Sequence, residues 1–123
     1  MTHEIPPARR DAGGAGAVLR LAAALGSLPG PDGAPFAELL AHGTLSVEIF
    51  APRGIDTQKP HERDELYVVV RGSAEFVHGA ERSRVAAGDL LFVPAYVPHR
   101  FESFSDDLAL WVMFYGPQGG ERP

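Results

Sequence analysis

The chain has no cysteine. Disulfides and thiolate metal sites are thereby excluded, and any metal must be held by His, Asp or Glu. It has a single lysine, Lys59, beside ten scattered arginines, and a net charge of −5. A phosphate-binding face needs a concentration of basic side chains, so nucleic acid is not an expected partner. No apolar run approaches the roughly 20 residues of a membrane helix, and no membrane association is expected. The stretch Ala15 to Leu28 follows Arg9-Arg10, as in a signal peptide, but Asp11 follows the arginines and Arg20 interrupts the apolar part. A secretory segment is unbroken, so a cytoplasmic chain is expected.

What is present is mainly β pattern. At 123 residues there is room for one domain with a real core. Residues 1–14 read as a lead-in. Val18, Leu21, Ala22 and Leu25 fall at helical spacing and predict a helix over Ala15 to Ser27, stopped by Pro29-Gly30-Pro31-Asp32-Gly33. From Phe36 onward about eight short strands are expected, with turn signals every 8 to 12 residues. They are Phe36–Ala41, Thr44–Phe50, Leu66–Arg71, Ala74–His78, Ser83–Ala86, Leu90–Val93, His99–Phe104 and Leu108–Tyr115. This is the pattern of an all-β sandwich or barrel. The expected division is a tail and short helix over 1–35, a barrel over 36–118, and a free tail over 119–123.

Five histidines need sorting. His3 lies in the lead-in, and His42 and His78 each sit beside a glycine at a turn, where exposed histidines are common. His61 and His99 differ, because each adjoins an apolar strand. Glu65 follows His61 by four residues. On a straight strand the two would be about 13 Å apart at roughly 3.3 Å per residue. They can share an ion only if Glu62-Arg63-Asp64 bends. The two sides of that bend would then face one cavity.

Together these residues resemble the paired motifs of the cupin family. Gly54, His61, Glu65 and Gly72 match the first motif, with Asp64-Glu65-Leu66-Tyr67-Val68 at its centre, and Gly88, Pro94 and His99 match the second. The resemblance covers residues 36–118. It departs from the family where Lys59 replaces the first histidine, where the spacing from Gly54 is one residue short, where Tyr96 replaces a glycine, and where Ser103 stands in place of a frequent asparagine. The resemblance implies a double-stranded β-helix, or jelly-roll barrel, with the short helix outside it. It implies a divalent metal on His61, Glu65 and His99, and a small-molecule ligand in the barrel. Two histidines and a carboxylate form a facial triad with open positions, and on ligand type Fe, Mn, Ni or Zn would serve. An oxygenase or isomerase is the implied enzyme class. The alternative is a non-catalytic, metal-free binding or sensor module, with His and Glu hydrogen-bonded to each other. Cupins commonly pair as dimers, and a homodimer through the N-terminal strands and helix is expected.

Lys59 leaves three readings open: a side chain snorkelling to solvent, a partner of an anionic substrate or of Glu65, or an amine of depressed pKa. Lys59 or Tyr67 is expected to orient substrate, and Gln58 to offer a weak fourth oxygen. If Glu65 faces inward, Tyr67 and Val69 follow; if His99 does, Phe101 and Ser103 follow. Phe50, Phe76, Phe92, Trp111 and Met113 are candidates for the remaining wall.

Overall fold

Polar and apolar residues alternate along Leu45-Ser46-Val47-Glu48-Ile49-Phe50, and this segment is a strand with two differently covered faces. In the computed structural model, which describes residues 15–123, it is β2 (Leu45–Phe50) of eight strands. The others are β1 (Phe36–His42), β3 (Asp64–Arg71), β4 (Ser73–His78), β5 (Glu81–Ala86), β6 (Leu90–Val93), β7 (His99–Glu102) and β8 (Ala109–Tyr115). They form a five-stranded sheet, in the order β1-β2-β8-β3-β6, and a three-stranded sheet, β5-β4-β7. All pairings are antiparallel. The last strand lies between β2 and β3, the crossed connection of a jelly roll.

The inner faces of the two sheets meet in a core that includes Tyr67, Val69, Phe76, Phe101, Leu110 and Val112. Register sets two inward rows across the larger sheet. One runs Ser46, Phe114, Glu65, Val93; the next runs Glu38, Glu48, Val112, Tyr67, Leu91. Polar side chains therefore enter the barrel from β1, β2 and β3.

The helix is shorter than its apolar spacing suggests: α1 spans only Leu21–Gly26. Arg20 is extended, Gly16 is left-handed at φ +93, and Val18 is exposed. A helix this short is held by packing rather than propensity. Leu19, Leu21, Leu25 and Leu28 all pack on the sheet, around Ala24, which is buried with Ala37, Leu39 and Ile49 beside Trp111.

The residues beyond Pro117, expected to hang free from 119, are tied to the start of β3. Gly119 N–H donates to Glu62 O at 2.7 Å, and Glu121 N–H donates to Asp64 Oδ2 at 2.8 Å. Residues 1–14, including His3, lie outside the described part. Among the described residues, no helix is long and apolar enough to cross a membrane.

Candidate metal centre

Glu65 is the second residue of β3, and the pleat points it into the barrel, almost fully buried with Tyr67 and Val69. The chain before β3 is not a strand, so it can bend His61 back onto Glu65: Nε2 lies 2.6 Å from Oε1. His99 opens β7 in the other sheet, and its Nε2 lies 3.0 Å from the same oxygen. The two imidazole Nε2 atoms are 3.1 Å apart. Tyr96 N–H donates to His61 O at 2.7 Å, which fastens the loop carrying one histidine to the loop preceding the other.

The proton positions on the rings follow from their other nitrogens. His61 Nδ1–H donates to Arg63 O at 3.0 Å, and His99 Nδ1–H donates to Val97 O at 2.8 Å. In the neutral imidazoles both Nε2 lone pairs then point at the Glu65 carboxylate, which also carries only lone pairs. Three electron-pair donors without a proton among them repel one another unless a cation or added protons enter. Donors at right angles around an ion, with bonds of about 2.1 Å, stand about 3.0 Å apart, close to the spacing here. The residues therefore fit a divalent ion.

The same contacts shift the titration of the groups around the cluster. Burial raises the Glu65 carboxyl, but hydrogen bonds and charge from His61 and His99 outweigh it and leave the group below its usual range. Burial lowers His61, and the Glu65 contact overrides it, leaving His61 above its usual value. Burial, then the nearby Glu65 charge, pushes the Tyr67 phenol well above its usual range. Glu48, on the interior face of β2, is raised to about 7 by burial and by Glu38 and Glu65.

Other expected residues fall elsewhere. Lys59 is exposed, and because 51–63 is not a strand it shares no strand face with His61. Gln58 does not offer its oxygen to the cluster; that oxygen accepts from Tyr67 Oη at 3.0 Å. Ser103 is exposed, because β7 ends at Glu102 and the alternation ends with it. Phe50 and Phe76 do line the core, whereas Phe92 is half exposed on the outside of β6 and Trp111 packs under α1. Met113, level with Val47, faces outward too. His42 is exposed, and His78, opposite His99 in the β4–β7 register, stacks on Phe76 at 4.6 Å between ring centres and lies 3.1 Å from Ser83 Oγ. Tyr96 and Ser103, at two of the departures from the family pattern, have φ +70 and φ +48. The first is where a glycine is expected and the second where an asparagine is frequent, the residues that enter this region most readily.

Two buried acids had no signal in spacing alone. Asp64 accepts from Ala95 N–H at 2.9 Å as well as from Glu121, so it clamps the β6–β7 loop and the C-terminal segment beside the cluster. Asp56 accepts from Phe101 N–H at 2.9 Å, 45 residues away. His61, partly exposed, forms the inner wall of a recess of about 590 Å³ lined also by Pro60, Glu62, Arg63, Phe114 and Gln118.

Two facing antiparallel sheets, closed around an inward His-His-Glu set, define a small β-barrel protein with a donor set of the metal-binding type. The chain belongs to the cupin family: the Cupin domain model matches residues 46–115. An uncharacterized protein of Streptomyces coelicolor is 40% identical over 89 residues, covering 71% of this chain and 84% of that protein. A cupin-2 domain protein of Shewanella frigidimarina superposes with TM-score 0.65 at 12% identity, covering 80% of this chain and 95% of that one. KdgF from a Halomonas species gives TM-score 0.59 at 22% identity, covering 68% of this chain and 78% of that one. The DMSP lyase DddQ of Ruegeria pomeroyi gives TM-score 0.57 at 27% identity, covering 76% of this chain and 53% of that one.

Proposed function

We propose that this cupin holds a divalent metal ion on His61, Glu65 and His99 and acts on a small molecule entering the barrel beside His61. The observation that carries this reading is the convergence of two imidazole Nε2 atoms and a carboxylate oxygen, with the other nitrogen of each ring on a backbone carbonyl. Such outer hydrogen bonds are what orients histidine ligands in metal sites. A bound divalent ion would supply Lewis-acid polarisation of a substrate oxygen. Fe, Mn, Ni and Zn all suit the donor set.

The protein's own groups supply the rest. Tyr67 orients the substrate from inside the barrel, and Lys59, exposed two residues ahead of His61, draws an anionic group toward the opening. Glu48 retains a proton near neutrality, which an ionised interior acid would lack. Phe50, Phe76 and Phe101 keep the floor of the barrel dry. Oxygenase and isomerase chemistry remain the reaction classes of this reading, and the similarity to a lyase adds elimination. The protein works in the cytoplasm as a homodimer.

A metal-free binding module is the second reading, and the short His61–Glu65 contact favours it, since an ion pair would hold these two together without metal. Elemental analysis of protein purified without chelators separates the two. Close to one equivalent of metal per chain, lost in His61→Ala, is the result expected for the metal site. Wild-type protein free of metal, and unable to take up added Zn²⁺ or Mn²⁺, would leave the binding module.

A further inference from the structure

A cavity of about 830 Å³ opens at the end of the larger sheet away from the cluster. Glu65 stands near the start of β3, and Arg71, which lines this cavity, ends that strand. At roughly 3.3 Å per residue the two are about 20 Å apart. The floor is apolar: Ala51, Leu108 and Ala109, the last two almost fully buried. Leu25, Leu28 and Ile55 rise beside them. Ile55 is 76% exposed, so nothing among the described residues covers it. Backbone hydrogen bonds brace the walls. Ala51 N–H donates to Pro35 O at 2.9 Å, Gly30 N–H to Ala34 O at 2.7 Å, and Leu108 N–H to Ser105 O at 3.1 Å. The space is therefore formed in advance, as small-molecule sites usually are.

Four exposed charged side chains stand around it: Arg53 and Arg71, Asp106 and Asp107. Among the described residues, none of the four makes an ion pair or a side-chain hydrogen bond. Exposed arginines of this chain do take acids within reach: Arg82 bridges Glu75 and Glu102, and Arg100 bridges Glu102. Here opposite charges share one rim and stay apart across the opening.

We infer that this cavity is a second binding site, for a small zwitterion with an apolar body: a free amino acid with an apolar side chain, or a short apolar peptide. Two cations and two anions on one rim nearly cancel, so a ligand with a single charge loses to one pair what it gains from the other. A ligand with both an ammonium and a carboxylate meets an opposite charge with each, and its apolar part covers Ile55 and the floor. The site is separate from the metal reading and does not depend on it.

The test is a titration of ¹⁵N-labelled protein, with chelator present, followed by its backbone amide signals. The probes are L-leucine, leucyl-leucine, and two analogues that each lack one charge, N-acetyl-leucyl-leucine and leucyl-leucine amide. Leucine or leucyl-leucine should shift the amides of Ala51, Ile55, Leu108 and Ala109 saturably, and leave those of His61 and His99 in place. The tighter of the two tells a free amino acid from a peptide. Each capped analogue should bind about fivefold more weakly than leucyl-leucine. Arg53→Gln with Arg71→Gln should weaken leucyl-leucine by a similar factor and leave the amide analogue unchanged, because that analogue has no carboxylate for the arginines to hold. Asp106→Asn with Asp107→Asn should do the same for leucyl-leucine and spare the N-acetyl analogue. Thermal melts check that both variants fold. The inference is overturned if no cavity amide moves at the solubility limit of the probes, if the capped analogues bind as well as leucyl-leucine, or if the arginine variant loses both ligands equally.

Discussion

Glu48 shows how a single side chain records the electrostatics of the barrel. It faces Glu38 across the β1–β2 pair, and Ser46 Oγ donates to Glu38 Oε2 at 2.8 Å. With its carboxyl raised from 4.5 to about 7, Glu48 stays protonated in the folded chain over a range where the unfolded chain ionises it. A raised acid opposes folding as pH climbs above 4.5, and the penalty levels off above about 7. At 1.36 kcal/mol per unit the full shift would be about 3 kcal/mol. Partial exposure of the side chain reduces this to about 1–2 kcal/mol. Glu48→Gln should therefore match wild type in thermal melts at pH 5 and exceed it at pH 8, with chelator present. Equal melting differences at both pH values would show that Glu48 titrates normally. His61 gives the opposite dependence for metal. The Glu65 carboxylate favours a proton on His61, so an incoming ion must displace that proton, and Zn²⁺ affinity should begin to fall on acidification above the ordinary histidine value of 6.5. A flat affinity profile from pH 8 to pH 5 would exclude histidine ligation. His61, Glu65 and His99 were legible in the sequence because the family spacing singles them out. Asp56 was not, since its role depends on a contact to Phe101 across 45 residues.

The strands were legible for a different reason: alternation along one strand is a local property, and turn residues punctuate it. Strand parity correctly carried Tyr67 and Val69 inward with Glu65. It failed for Ser103, because parity holds only while the strand lasts, and β7 has four residues. Helical spacing over Ala15 to Ser27 failed at its first turn, where Gly16 is left-handed and Arg20 extended, so that Leu19 packs on the sheet from non-helical chain. The turn between β3 and β4 provides a test of how strand geometry holds the site. Gly72 has φ +77, and a Cβ there would lie 2.3 Å from Ser105 Oγ and 2.9 Å from the Leu108 Cα. Ser73 N–H and Ser105 Oγ are hydrogen-bonded at 3.0 Å in the same corner. Gly72→Ala combines a left-handed backbone with a collision against main chain, and should cost about 2–4 kcal/mol in chemical denaturation. A loss below about 1 kcal/mol would mean that the corner opens freely, and β3 would then be a poor anchor for Glu65.

At the scale of the whole molecule, the outer face of the larger sheet is covered on one side only. The expectation of a dimer through the N-terminal strands and helix rested on an unblunted sheet edge at Thr44–Phe50 and Phe36–Leu40 and on a helix with too few polar residues to stand free. The helix has an apolar surface in its own sheet, over Ala37, Leu39 and Ile49. One apolar surface left open lies at the opposite edge, where Leu90 is 65% and Phe92 50% exposed on β6 beside half-buried Leu66 and Val68 on β3. These four side chains carry no charge, on a chain whose net charge is −5. A two-fold contact brings each group near its own copy, so an uncharged patch suits a second copy of an acidic chain better than a charged one would. β6 is also a sheet edge, which a partner would cover. Light scattering at micromolar concentration should therefore give about twice the chain mass of 13.2 kDa. Leu90→Ser with Phe92→Ser should return the mass to that of one chain, with metal content unchanged, because neither residue touches the cluster. If the double variant stays dimeric, the contact lies at β1 and α1 instead; if wild type itself scatters as one chain, the open sheet face is not a self-contact and the homodimer reading is wrong.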